Sequence, residues 1–213
     1  MKKINPNTKL SDGNTGFHYA CAYNAVDVVE LFIKTDKVDL NAKNEKGETG
    51  FHFACRLGQF LIVDLLLNTK RVNVNEVNNN NETGFFQACA PIIEEEENKK
   101  ALQVVKLLLI SDKIRVDIPN RKGVDVLSQV ICSKNEDLLK WMLLSERFDN
   151  FHYENLKDME GNPFQKHNSP KLYNLLVTYT MEKAKARKEI FKGLRISGTF
   201  FLKKKKSLKS IKI

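Results

Sequence analysis

The chain has 213 residues, a net charge of +9, 42% hydrophobic residues and four cysteines. It holds no run of 18 apolar residues, which argues against a membrane-spanning helix, and the opening Met1-Lys2-Lys3-Ile4-Asn5-Pro6 lacks the apolar core of a secretion signal. The charge is segregated: residues 182–213 carry twelve basic residues against Glu182 and Glu189, which leaves residues 1–181 close to neutral at −1. These features predict an intracellular, cytoplasmic chain with one elongated domain over residues 1–180 and a basic helical or disordered tail over 181–213.

The first structured element opens at Gly13-Asn14-Thr15-Gly16-Phe17-His18-Tyr19-Ala20-Cys21. The block returns 34 residues later as Gly47-Glu48-Thr49-Gly50-Phe51-His52-Phe53-Ala54-Cys55, and 34 residues after that as Asn81-Glu82-Thr83-Gly84-Phe85-Phe86-Gln87-Ala88-Cys89. Self-similarity at this period marks a stacked repeat protein, in which each unit buries its apolar face only against its neighbours. Periodic histidines and cysteines then take structural roles. Cys21, Cys55 and Cys89 sit on equivalent helices about 10 Å apart, beyond the Cα separation of roughly 7 Å that a disulfide spans, so they are expected as packed, reduced thiols.

The second unit shows the internal plan most clearly. Thr49 precedes a short helix over Gly50–Leu57, and Gly58 ends it as a left-handed residue. A second helix follows from about Phe60 to Asn68, where Ile62, Val63, Leu65, Leu66 and Leu67 are too densely apolar for a solvated helix. The segment from Arg71 to Asn81 alternates briefly and ends in Asn-rich turn chemistry, which predicts an extended hairpin or loop to the next helix pair.

Gly-x-Thr-Gly-Phe-His-x-Ala-Cys resembles the ankyrin-repeat signature Gly-x-Thr-Pro-Leu-His-x-Ala-Ala, and Ile62-Val63-Asp64-Leu65-Leu66-Leu67 is similar to that family's second helix. Gly16, Gly50 and Gly84 stand where the family has proline, so a residue pre-set for the first helical turn is missing. The resemblance implies an all-α fold: an ankyrin-repeat solenoid of about four helix-turn-helix repeats plus a degenerate C-terminal capping unit, with short hairpin loops. Repeats fall near 11–43, 45–77, 79–119 and 121–157, with the cap at 159–180.

In the third repeat, aligning Val104 to Leu109 with Ile62 to Leu67 places an acidic insertion, Pro91 to Lys99, between the two helices. The fourth copy, Gly123 to Ile131, keeps the apolar spacing without Thr or His, and Leu138, Leu139, Trp141, Met142 and Leu143 form its second helix. Ser169-Pro170 starts a final helix through Leu172, Leu175, Leu176 and Tyr179 toward Phe191.

No phosphate loop, nucleophile elbow or metal-ligand spacing occurs, which points away from an enzyme and from any cofactor or metal. The family likeness places His18 and His52 in a turn network with Thr15 and Thr49, with Thr83 at the same position of the third repeat. It also implies that a partner protein is met on a concave surface of hairpin tips and first-helix faces. The positions concerned are Ser11, Asp12, Asn14, Ala22 and Tyr23; Glu45, Lys46, Glu48, Arg56 and Leu57; Asn79, Asn80, Glu82 and Ala90; and Arg121, Lys122, Val124, Cys132 and Ser133. Tyr23, Arg56 and Leu57 are the expected anchors. The chain is expected to be monomeric. Lys203, Lys204, Lys205 and Lys206 leave three readings open: a nuclear import signal, contact with nucleic acid or anionic lipid, or a solvated end.

Overall fold

The computed structural model describes residues 5–90, 95–148, 155–164, 170–181 and 190. Helices pair along the chain as α1 (Gly16–Ala22) with α2 (Val26–Lys34), α3 (Gly50–Arg56) with α4 (Phe60–Asn68), α5 (Gly84–Ala88) with α6 (Glu95–Ile110), and α7 (Val126–Cys132) with α8 (Glu136–Leu144). The described part of the C-terminal region contributes α9 (Pro170–Met181). Among the described residues the only β pairing is two isolated bridges, Val77 with Thr83 and Lys157 with Pro163, so the fold is all-α with solenoid-like stacking.

Each first helix starts at a side-chain cap. Thr15, Thr49 and Thr83 are extended residues at the N-caps of α1, α3 and α5, and Asp125 takes the place for α7, its carboxylate accepting from Ser128 N–H at 2.7 Å. The helices are short because a left-handed residue follows closely: Asn24, Gly58 and Lys134 have φ of 56°, 67° and 58° in the same register.

The core repeats with the sequence. Phe17, Phe51, Phe85 and Leu127 are buried at one position, Cys21, Cys55, Cys89 and Ile131 at a second, and Val29, Val63, Val105 and Leu139 at a third. The cysteines are free, and burial pushes the Cys21, Cys55 and Cys89 thiols up, so they behave as small apolar side chains.

The glycines in the proline position have a packing reason. A Cβ on Gly50 would lie 2.6 Å from the Phe17 ring and 2.9 Å from Cys21 Sγ, and one on Gly84 would lie 2.8 Å from Phe51 and 3.1 Å from Cys55 Sγ. Proline or any other side chain there has to displace the aromatic ring of the preceding unit. At α7 the position is Val126, and α7 packs less closely on α5 than α5 does on α3.

A cation from each following pair closes the second helix of the pair before it. Arg71 donates through Nη1 to the carbonyls of Phe32 (3.3 Å), Ile33 (2.7 Å) and Thr35 (3.0 Å), and through Nη2 to Val38 (2.8 Å), at the end of α2. Lys113 donates to the Leu67 carbonyl at the end of α4, and Arg147 to Ser111 and Ile114 beyond the end of α6. The Ile33 and Leu67 carbonyls are orphan acceptors of helix C-termini, where the dipole also favours positive charge, while those of Val38 and Ile114 belong to the turns that follow the helices.

The acidic insertion is not simply a loop. Helix α6 begins at Glu95 and is 16 residues long against 9 for α4, so Glu95 to Lys99 extend the second helix of the third pair, and the expectation of an excursion between helices is corrected to that extent. Pro91 to Glu94, residues 182–189 and Phe191, through which the final helix is expected to run, and Lys203, Lys204, Lys205 and Lys206 lie outside the described residues.

Candidate interaction face

The hairpins joining the pairs have a common construction. Asn44 Oδ1 accepts from the N–H of Lys46 (3.0 Å) and Glu48 (2.9 Å), Asn78 Oδ1 from Asn80 and Glu82, Asn120 Oδ1 from Lys122 and Val124, and Asp158 Oδ1 from Glu160 and Asn162. A short polar side chain thus substitutes for a backbone turn partner and holds the tip rigid. The left-handed corner beside it is Gly13, Gly47, Asn81, Gly123 and Gly161.

Successive tips are then joined backbone to backbone. Glu45 N–H donates to Asp12 O at 3.3 Å, Asn79 N–H to Lys46 O at 2.9 Å, and Arg121 N–H to Asn80 O at 2.8 Å. Glu45, Lys46, Arg121 and Lys122 therefore sit exposed on a continuous row of braced tips, with the Lys122 ammonium donating to Met159 O at 3.2 Å.

The two histidines lock this row to the helices. His18 Nδ1 accepts the backbone N–H of its own cap residue Thr15 at 3.0 Å and lies 2.9 Å from Thr15 Oγ1, so Nε2 carries the proton and donates to Glu48 O at 2.9 Å, 30 residues on. His52 repeats this with Thr49 and Glu82 O at 3.1, 2.9 and 3.1 Å. Burial holds both imidazoles below the usual histidine value, which keeps the neutral tautomer that the network needs. In the third pair Phe86 replaces histidine, and Thr83 Oγ1 simply accepts Phe86 N–H at 3.1 Å. In the fourth, Ser128 Oγ accepts Lys157 N–H at 3.1 Å and restores a link to the next hairpin.

Along the first helices the exposed surface is aromatic at one end. Tyr23 is 79% exposed and stacks on Tyr19 with centroids 6.3 Å apart and rings 11° from parallel, while Tyr19 Oη donates to Asp12 at 3.0 Å. Hydrogen bonding from Asn14 N–H holds the Asp12 carboxyl below its ordinary value. Next along, the Arg56 guanidinium lies 4.8 Å from the Phe53 ring centroid and 2.9 Å from Glu48 Oε1, which also accepts from Gln87 Nε2 at 3.1 Å. Leu57 is exposed beside it.

The structure changes the status of several positions assigned to this surface by sequence. Glu48 is only 4% exposed and serves as the buried anion that fixes Arg56 and Gln87, so it is a brace rather than a free contact residue. Asn14 and Val124 are buried as well, because each follows the turn and points back under it. Ser11, Asp12, Asn79 and Asn80 are exposed, and Ala22, Glu82, Ala90, Cys132 and Ser133 are half-buried. Thr15, His18, Thr49, His52 and Thr83 are all buried.

Sequence reasoning missed Tyr19, Phe53 and Gln87, which share one position of the repeat and build this face. It also missed the Asn7, Asn41 and Asn75 series: Asn41 Nδ2 donates to Arg71 O at 2.8 Å and its Oδ1 accepts Asn73 N–H at 2.7 Å, with the same pattern 34 residues to either side. The available signal was the recurrence itself.

Among the described residues no group of three or more His, Cys, Asp or Glu is placed to hold a metal ion, and no helix is long and apolar enough to cross a membrane. Residues 1–78 match the family model described as ankyrin repeats (3 copies), a stretch that covers the first two helix pairs and the hairpin limb leading to the third. No curated protein matches the chain.

Proposed function

We propose that this chain is a non-enzymatic interaction module, an intracellular adaptor that binds a partner protein on the face made by its hairpin tips and first helices. The array continues in this reading through the fourth helix pair, and α9 closes it as a capping unit. The carrying observation is the row Tyr23, Tyr19, Phe53 and Leu57, exposed or half-exposed apolar surface held rigid by Asp12 and by the Arg56–Glu48–Gln87 network, within the stretch that matches ankyrin repeats. Rigid aromatic side chains bury much area at low entropic cost, which is the usual character of an interface anchor. Braced backbone tips beside them, bearing Glu45, Lys46, Arg121 and Lys122, supply a polar rim.

Affinity purification with the full chain, followed by partner identification, tests this reading. Arg56 is a poor choice for mutation because its loss strands the buried Glu48 carboxylate. The variant of choice combines Tyr23→Ser, Leu57→Ser and Lys46→Ala, all at exposed positions. Its melting temperature should equal that of the parent while partner affinity drops at least about tenfold. Undiminished capture by this variant rejects the face.

A second reading rests on the charge segregation. Residues 182–213 carry a net charge of +10 against −1 for the remainder, a distribution suited to an electrostatic tether to nucleic acid or anionic lipid. Deleting residues 193–213 and measuring binding to RNA, DNA and anionic vesicles against salt separates the two, since only a tether loses a steep salt dependence.

A further inference from the structure

The first helix pair differs from those behind it at the helix positions through which a pair receives its predecessor. Gly50 and Gly84 are filled by a phenylalanine ring and a cysteine sulfur from the pair before, whereas the Cβ position of Gly16 has only Phe32 Cζ, from its own pair, at 3.7 Å. Ile62 is fully buried, but its counterpart Val28 is 42% exposed, and Leu31 is 62% exposed where its counterpart Leu65 is half-buried. Arg71, Lys113 and Arg147 each cap the second helix of the preceding pair; Lys37, in the same register, is exposed and its ammonium has no partner among the described residues. The hairpin edge of this same unit is complete, since Asn7 Nδ2 donates to Lys37 O and Asn7 Oδ1 accepts Asp39 N–H, as Asn41 and Asn75 do farther along.

We infer that the N-terminal face of α1 and α2 is a docking surface for an α-helical hairpin of another polypeptide, which stacks on it as the helix pairs of this chain stack on one another. The surface is continuous in design with an interface the chain already makes within itself, and that interface states the chemistry of the occupant. The incoming first helix lays an aromatic ring and a small side chain over Gly16. Its second helix covers Val28 and Leu31 with aliphatic residues and ends with unsatisfied carbonyls over the Lys37 ammonium, a favourable match of cation and helix C-terminus. Among the described residues a second copy of this chain does not offer that chemistry: Phe17, Phe51 and Phe85 on its first three helix pairs are already buried in the stack, and α9 leaves Asn174 and Thr178 exposed. This face is distinct from the hairpin-tip face, and neither proposal depends on the other.

The probe is the full chain carrying residues 11–44 twice in tandem, so that an added helix pair brings its onward-facing Phe17, Cys21 and α2 carbonyls to this face in register. It is compared with the parent and with tandem chains carrying Leu31→Glu or Lys37→Glu in the second copy, substitutions at exposed positions that should leave the melting temperature of the parent unchanged. A urea midpoint above that of the parent, lost in each variant, supports the inference. No rise over the parent, or an equal rise in both variants, overturns it. Sedimentation of the parent alone completes the test: a monomer agrees with the proposal, and a dimer abolished by Leu31→Glu assigns the face to a second copy and overturns it.

Discussion

Tyr179 Oη donates to the Leu143 carbonyl at 2.7 Å, at the C-terminal end of α8. Arg71, Lys113 and Arg147 occupy the corresponding ends of α2, α4 and α6, so a neutral hydroxyl closes the second helix of the fourth pair where cations close those of the earlier ones. Tyr179 is buried, and a hydroxyl satisfies a buried carbonyl without bringing a charge into a protected site. Tyr179→Phe keeps the ring packing and removes only the donor. Its expected cost is about 1–2 kcal/mol, read as a lower urea midpoint with an unchanged slope.

Arg71 is the strongest of these closures because one guanidinium reaches four carbonyls. Arg71→Lys retains the charge but replaces a planar fork with a single ammonium, so it should recover only part of what Arg71→Met loses. For Arg71→Met the expected destabilisation is about 2–3 kcal/mol in equilibrium urea unfolding, from stranded carbonyls at the end of α2. Equal stability of the lysine variant and the parent would show that charge rather than geometry matters.

The glycines at the first helical position divide into two kinds. Gly50→Ala drives a methyl into the Phe17 ring and Cys21 Sγ, and should cost about 1–3 kcal/mol through overpacking. Gly16→Ala meets nothing closer than 3.7 Å and should stabilise by up to about 1 kcal/mol through helix propensity. Thermal melts of the two variants should therefore move in opposite directions.

Lys134 stands in the left-handed register that Gly58 fills in the second pair, with φ of 58°. A side chain there carries a steric penalty that glycine lacks, so Lys134→Gly is expected to stabilise by about 1 kcal/mol after allowing for glycine's larger unfolded-state entropy. A rise in melting temperature checks this, and a fall shows that the Lys134 side chain contributes more than its backbone costs.

Stability should depend on pH through His18 and His52. Their folded values lie below the ordinary 6.5 because of burial, so the unfolded chain binds more protons and folding weakens as pH drops. The contribution is complete above about pH 6.5 and is lost on acidification from there toward the depressed folded values. Below about pH 4.5 further loss comes from Glu76, held down by Lys43, and from Glu136, held down by Lys140 and Lys171; Asp125, raised by burial, acts in the opposite sense. Urea midpoints at pH 7.5 and 5.5 should differ for the parent and converge in the His18→Gln, His52→Gln double variant. An unchanged pH dependence in that variant would place the effect elsewhere.

Much of the architecture is legible in the chain because a 34-residue period leaves little freedom. The second helix expected from Phe60 to Asn68 has those bounds, and Gly58 takes the left-handed conformation assigned to it. The insertion was harder to read, since a run of glutamates is compatible with a loop and with the first turns of a helix, and only the attachment of Glu95 to Lys99 to α6 distinguishes them. Glu48 was misjudged for a related reason: a charged residue at a hairpin tip reads as solvated until its partners Arg56 and Gln87, 8 and 39 residues away, are seen to enclose it.

By itself the sequence determined the repeat, its register and the local rules within each unit: the threonine caps, the left-handed Gly58 and the apolar spacing, while the pairing of His with Thr followed from the family likeness. These are short-range consequences of backbone geometry and side-chain chemistry, and every copy restates them. Only the tertiary structure decided which residues join one unit to the next. Arg71 reaching the end of α2, the Phe17 ring requiring Gly50, and the open ground around Gly16, Val28, Leu31 and Lys37 all arise from stacking. Stacking sets contacts by proximity across units, and the one-dimensional pattern carries no distance between residues that lie more than 30 positions apart.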